Sequence, residues 1–145
     1  MVIIAATNAQ NVPDNVVELG AELAEKYDDE LHVLHVHEEE NESLPLDSGA
    51  YTPDEPQEQT NQADEATEVA LRVANRTLGN DASVTPIGRS GDVGEAIIEE
   101  ANMADARFLV IGGRKRSPAG KALFGSATQD ILLSAEMPVV TVMDE

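Results

Sequence analysis

Residues 107–143 read RFLVIGGRKRSPAGKALFGSATQDILLSAEMPVVTVM, and this run decides the fold. It opens with RFLVIGG at 107–113, the most apolar strand candidate in the chain, with the composition of a strand covered on both faces. It closes with VVTVM at 139–143, a second strand of the same kind. Between them, Ser126 and Gln129 have the S-x-x-Q spacing of a capping box. Ile131, Leu132 and Ala135 follow at helical spacing, and Pro138 ends the helix. A strand, a helix and a strand in that order form a parallel unit, because the chain must cross back over the sheet before the second strand can run the same way.

Outward from this unit the pattern repeats. VIIAA at 2–6 is a short β-branched strand, closed by a polar stretch. Pro13 and Asp14 open a helix in which Val16, Gly20, Leu23 and Tyr27, together with Val17, Ala21 and Ala24, recur at helical spacing. ELHVLHV at 30–36 is a second strand. From about Gln62 a helix turns Ala66, Val69, Ala70, Val73 and Leu78 inward and stops at Gly79 and Asn80. SVTPIG at 83–88 is a third strand, with Pro86 placing it at a sheet edge. Asp92 and Glu95 cap the next helix, whose apolar face is Val93, Ala96, Ile97, Ala101 and Ala104.

Strict alternation of strands and helices defines an α/β class fold, a doubly wound five-stranded parallel sheet with helices on both faces, Rossmann-like. Ligands of such sheets bind beyond the carboxyl ends of the strands, where strand order reverses. Those ends are Thr7–Asn8, Val36–His37, Gly88–Gly91 and Gly112–Arg114.

With 145 residues the chain is one domain, 1–145, long enough for a sizeable core. An acidic connection at about 38–62 interrupts it; residues 38–68 hold eleven acidic residues, three prolines and no basic residue, the composition of an exposed, partly mobile segment. There is no cysteine, so no disulfide framework or thiolate metal site. The N-terminus lacks the basic stretch of a signal peptide, and no apolar run reaches membrane-spanning length, so a cytoplasmic location is expected. The formal charge of −19 repels nucleic acid and anionic membranes, and neither is an expected partner. So acidic a chain with only three lysines fits a salt-rich cytoplasm and a halophilic source, with an ordinary acidic cytosolic protein as the alternative.

Against that background, Arg114, Lys115, Arg116 and Lys121 crowd into eight residues between Gly112–Gly113 and Gly125–Ser126. Glycines admit a close backbone approach, a helix start offers unpaired amides to an anion, and cations offset its charge. The segment therefore reads either as a phosphate cradle or as an exposed loop whose cations pair with surface carboxylates. It is not a Walker A loop, since Ala122 stands where a magnesium-binding hydroxyl is needed, and no dinucleotide fingerprint follows the first strand.

Read as a unit, LVIGGRKRSPAGKALFGSATQDILLSAEMPVVTV resembles the C-terminal signature of the universal stress protein family. Nucleotide-binding members of that family carry G-x-x-G, nine residues, then G-[ST]. Gly112 matches the first glycine and Gly125–Ser126 the closing pair, while Lys115 replaces the middle glycine. The first strand, LHVLHV and GDVGEAIIEEA agree in order and spacing. The resemblance implies strand order 3-2-1-4-5 and a homodimer through the last strand, Val139 to Met143. It also implies a stress-response factor binding an adenine nucleotide, ATP, with Mg2+ only as the nucleotide's counter-ion. Gly112, Gly113, Gly125 and Ser126 would hold phosphates; Arg114, Lys115 and Arg116 would supply charge; Thr7, Asn8 and Val36 would meet sugar and base. Thr7 stands where the binding branch usually has an aspartate.

The alternatives are a dimeric interaction module of the same fold that binds no nucleotide and captures a protein partner, and a slow ATPase. The latter needs an acid near the loop, for which Asp130 is the candidate in sequence. No catalytic residue is assigned and no enzyme activity is expected. His32, His35 and His37, followed by Glu38 to Glu40, have the residue types of a metal site, but strand histidines are more often hydrogen-bonded core or rim residues, and none is expected to bind metal. Glu99–Glu100 reads as the exposed side of a helix.

Overall fold

A computed structural model describes residues 1–10, 12–38, 56–115, 122–123 and 126–144. In chain order its elements are β1 (Val2–Ala6), α1 (Asn15–Tyr27), β2 (Glu30–Glu38), α2 (Pro56–Leu78), β3 (Val84–Gly91), α3 (Val93–Met103), β4 (Ala106–Lys115), β5 (Ala122–Leu123), α4 (Ser126–Ser134) and β6 (Val139–Asp144). Every strand and helix expected from periodicity is present. The two-residue β5 is an addition.

The five long strands form a parallel sheet of order β3-β2-β1-β4-β6, which is the 3-2-1-4-5 order once β5 is set aside. β5 runs antiparallel to the end of β4, pairing Arg114 with Leu123 and Lys115 with Ala122. Arg114 also pairs with Asp144 of β6, so β5 lies on the other edge of β4, beyond the end of β1.

Alternation along the strands sends side chains to two cores. Ile3 and Ala5 of β1, with Leu31, Val33 and Val110, pack under α1 and α2. Ile4, Leu34, Leu109 and Ile111 pack under α3 and α4. Both faces of β1 are covered, and Ile3, Ile4 and Ala5 are completely buried. The helix faces follow their spacing: Val16, Val17, Gly20 and Ala24 of α1 are inside, as are Ala66, Ala70, Val73 and Ala74 of α2. α4 departs from its pattern, for Ile131 is buried while Leu132 is 44% exposed. A helix at the flank of the sheet buries one narrow stripe rather than a broad face.

Helix ends match their signals. Asp14 caps α1, accepting from the Val16 and Val17 amides, and Asp92 caps α3, accepting from that of Glu95. Gly79 follows α2 with φ of 90°, a left-handed turn that favours glycine. α2 starts at Pro56 rather than near Gln62, so helix takes up the end of the acidic connection; proline is suited to a first helical position because its missing N–H has no intrahelical partner there. The rest of that connection, 39–55, lies outside the described residues.

β3 is an edge strand, as Pro86 requires. At Gly88 it meets the backbone of α2 closely. A Cβ built at Gly88 would stand 2.1 Å from the Thr67 amide nitrogen and 2.2 Å from the Ala63 carbonyl oxygen of α2. Arg89 of the same strand reaches across to α3, donating to Glu99 at 2.6 Å and Glu100 at 3.0 Å. Glu100 is therefore not a freely solvated carboxylate; its side chain is 13% exposed. These two carboxylates raise the pKa of Arg89 above its ordinary value, the Glu99 hydrogen bond most.

At the opposite end of the sheet, Asp29 accepts from Arg107 Nε at 2.6 Å and from the Met1 ammonium at 3.0 Å. The Arg107 guanidinium also lies over the Tyr27 ring, 4.8 Å from its centre. The hydrogen bond from Arg107 is the largest influence holding the Asp29 carboxyl below the usual carboxylate range, with the ammonium adding to it.

Candidate functional site

In this strand order β1 connects towards one edge and β4 towards the other, so the sheet reverses between them. Two neighbouring strands whose chains leave in opposite directions must part at their carboxyl ends, and a crevice opens there. A cavity of about 340 Å³ occupies that position. It lies within the roughly 300–1,000 Å³ range of small-molecule sites.

Its floor is made by the strand ends: Ala6 of β1 with Thr7 after it, Leu34 to Val36 of β2, and Ile111 to Gly113 of β4. Asp14 to Val16, at the start of α1, form one wall; Val93 and Ile97 of α3 with Ala127, Thr128 and Ile131 of α4 form another. The first turn of α4 is tied to the floor by the Thr128 hydroxyl, which donates to the Gly112 carbonyl at 3.3 Å.

Five of the residues expected at the site, Thr7, Asn8, Val36, Gly112 and Gly113, meet around this one cavity. Gly113 and Val36 are buried and Gly112 is open to the cavity side. Arg114 and Lys115 are the next two residues of β4. Ser126 is the first residue of α4, and Gly125 lies outside the described residues, as does Arg116. The side chains of Arg114, Lys115 and Ser126 also lie outside what is described, which includes the expected capping by Ser126. Lys115 stands in strand and pairs with Ala122, so its backbone is extended, a conformation open to any residue. Lysine in place of the family's middle glycine therefore carries no backbone penalty here.

Thr7 is 5% exposed, and its hydroxyl is already engaged. It donates to Asp14 Oδ2 and accepts the Ala9 amide at 3.0 Å. Asn8 Oδ1 likewise accepts the Gln10 amide at 3.0 Å. Both side chains thus shape the loop from β1 to α1, in which Ala9 adopts a φ of 62°. Their ordering of the loop is independent of any contact they make to a ligand.

Two further site residues carry other readings in the sequence, Asp14 as a helix cap and His35 as a hydrogen-bonded strand histidine, and the second is what the structure shows. Asp14 reads as a helix cap and nothing more, yet its carboxylate lies on the cavity wall and is 5% exposed. His35 Nδ1 lies 2.9 Å from the Thr7 carbonyl oxygen, joining β2 to the end of β1 beneath the cavity. His32 instead lies 3.5 Å from Glu30, and no group of three metal-ligating side chains occurs among the described residues. Asp130, the sequence's candidate acid, is exposed and does not line the cavity; its Cβ packs near Gly94 of α3. The charged residues on the described lining are Asp14 and Glu38, with no Lys or Arg among them. The cations begin just past Gly113.

A cavity at the switch point of a doubly wound parallel sheet places the chain among Rossmann-like α/β domains. The chain belongs to the universal stress protein family, whose model, described as "Universal stress protein family", matches residues 1–143. A universal stress protein of Mycolicibacterium smegmatis is 43% identical over 51 residues, 35% of this chain and 39% of that protein. The match thus spans well under half of that relative's length.

Among solved structures, the universal stress protein of Archaeoglobus fulgidus has a TM-score of 0.62 and 26% identity, covering 97% of both chains. A universal stress protein in complex with cAMP has a TM-score of 0.60 and 19% identity, covering 100% of this chain and 98% of that one. The Archaeoglobus protein in complex with dAMP has a TM-score of 0.55 and 23% identity, covering 97% and 96%. Among the described residues no helix is long and apolar enough to cross a membrane.

Proposed function

We propose that this chain is a cytoplasmic stress-response factor that binds an adenine nucleotide, ATP in the first place, in the cavity between β1 and β4, and that it acts by binding rather than by catalysis. The observation that carries this reading is the arrangement of β4. Gly112 and Gly113 floor the cavity, and the strand runs directly into the cationic segment that β5 folds back beside it. A ligand whose body lies on the glycines meets the cations and the N-terminus of α4 with its phosphates. Relatives of the same fold bind cAMP and dAMP, which supports an adenine nucleotide as the ligand class. Mg2+ enters only as the nucleotide's counter-ion.

The proposal includes a homodimer. Within one chain β6 pairs with β4 alone among the described strands, which leaves its apolar outer edge as the surface for a second copy. The second reading is an interaction module of this fold that captures a protein partner without nucleotide. One observation favours it: the Thr7 hydroxyl is spent on the loop, and no carboxylate ends β1.

The deciding experiment is calorimetric titration of folded, nucleotide-free protein with ATP in molar KCl, because a chain of charge −19 needs screening to approach an anion freely. Saturable binding in about the micromolar range supports the first reading. Absence of binding by intact dimer transfers the function to the second.

A further inference from the structure

The outer face of α2 holds a groove of about 380 Å³, lined by Glu68, Leu71, Arg72, Asn75, Arg76 and Asn80. None of these residues lines the cavity between β1 and β4. Helical spacing makes the face. Ala66, Ala70, Val73 and Ala74 turn inward and are buried, so Glu68, Arg72 and Arg76 stand in one row on the solvent side. Leu71, 41% exposed, and Asn75 form a second row beside it.

Cations are scarce in this chain, nine against twenty-eight acidic residues, and the fold uses some of them internally. Arg89 is bonded to Glu99 and Glu100, and Arg107 to Asp29. Arg72 and Arg76 form no ion pair among the described residues. Glu68 stands four residues before Arg72, a spacing at which opposite charges meet on a helix, yet the two are not joined. Two exposed guanidiniums, about 6 Å apart along the helix axis, therefore keep their donors for another molecule.

A small anion fits this groove poorly. The groove lies at the carboxyl end of α2, whose dipole repels negative charge, and Glu68 shares the lining. A second helix fits it better. Laid antiparallel, it sets its amino end, which favours acidic side chains, against the carboxyl end of α2. Two acids one turn apart then face Arg76 and Arg72, and a base one turn further faces Glu68. An apolar side chain in the next row covers Leu71. A Glu four residues before a Lys is also the order that stabilises the partner helix itself.

We infer that this face of α2 docks an acidic helix of a protein partner, antiparallel to α2 and carrying Glu-x-x-x-Glu-x-x-x-Lys beside an apolar residue. The site is separate from the cavity, and the inference does not rest on the nucleotide reading.

The test is fluorescence anisotropy of a labelled, capped helical peptide of about twenty residues with that pattern and a leucine beside it. The full chain is titrated in about 0.1 M KCl without nucleotide, since higher salt screens exposed pairs. Folded wild type should bind saturably. The double variant Arg72→Gln, Arg76→Gln keeps good helix formers at both exposed positions, and its thermal unfolding confirms the fold. Each exposed charge pair corresponds to up to about fivefold in affinity, so the double variant should bind about tenfold weaker. Glu68→Lys should also weaken binding, and a peptide with Glu in place of its Lys should restore it. No saturable binding by folded wild type overturns the inference and leaves the nucleotide reading standing. Equal affinity of the double variant overturns it as well. So does equal affinity for a peptide of the same composition in the order Lys-x-x-x-Glu-x-x-x-Glu, because attraction would then follow composition rather than register.

Discussion

The Thr7 hydroxyl, immediately after β1, donates to Oδ2 of Asp14, the residue that caps α1. This bond closes the loop between them and joins two buried polar groups on the cavity wall. Thr7→Val keeps the shape of the side chain and removes the bond. It leaves a buried carboxylate oxygen and the Ala9 amide without their partner, so unfolding free energy should fall by about 1–3 kcal/mol. Thr7→Ser, which keeps the hydroxyl, should lose less. Urea denaturation of both variants checks this; equal losses would show that the methyl group, not the bond, holds the loop.

Gly88 is where α2 rests on β3. Gly88→Ala places a methyl group within 2.2 Å of helix backbone, which has no rotamer to yield. The helix must lift from the strand, at a loss of about 3 kcal/mol or more. Thermal unfolding should reveal it. A variant as stable as the wild type would mean that α2 shifts freely over the sheet.

Asp29 predicts a pH dependence. Its carboxyl is held below the usual range by Arg107 and the Met1 ammonium. A depressed folded-state pKa gives stability that is present above the unfolded pKa and lost as pH falls through the folded one. Asp29→Asn should therefore be less stable than wild type at neutral pH, with the gap unchanged down to about pH 4 and closing below it. Denaturation midpoints measured from pH 7 downwards test this. A gap that widened in acid would contradict the sign.

Lys115 lies in extended backbone paired with Ala122, so Lys115→Ala should leave folding nearly unchanged. If its ammonium meets the phosphates, ATP affinity should fall by roughly tenfold and the salt dependence of binding should become shallower. ATP affinity equal to that of the wild type would assign the phosphate contacts to backbone amides and arginines instead.

Periodicity alone determined the five parallel strands, the four helices and the side of each that faces the core, because burying apolar side chains rewards a period of two in strands and 3.6 in helices whatever the surroundings. VIIAA, with no polar position, could only be a strand covered on both faces. Pro86 could only stand at an edge, since it has no N–H for a second neighbour. Asp92 capped α3 as its spacing with Glu95 required. Some signals misled because they were local: Leu132 and Tyr27 kept helical spacing yet stand exposed, the start of α2 was hidden in an acidic stretch, and Glu100 read as solvated because its partner Arg89 is on another element.

The cavity was legible only in outline. The sequence named the strand ends, and with them Thr7, Asn8, Val36, Gly112 and Gly113, because a doubly wound sheet opens where its order reverses. It could not show that Asp14 is a cavity residue as well as a cap. That depends on how far the loop from Thr7 folds back towards β1 and on Thr77 of α2 reaching the same backbone, contacts made by residues distant in sequence. Nor could it show that Lys115 sits in a ladder with Ala122 rather than in a turn. Local chemistry determined the elements of this protein; the packing of separate elements against one another decided which polar groups lost their water and faced the cavity.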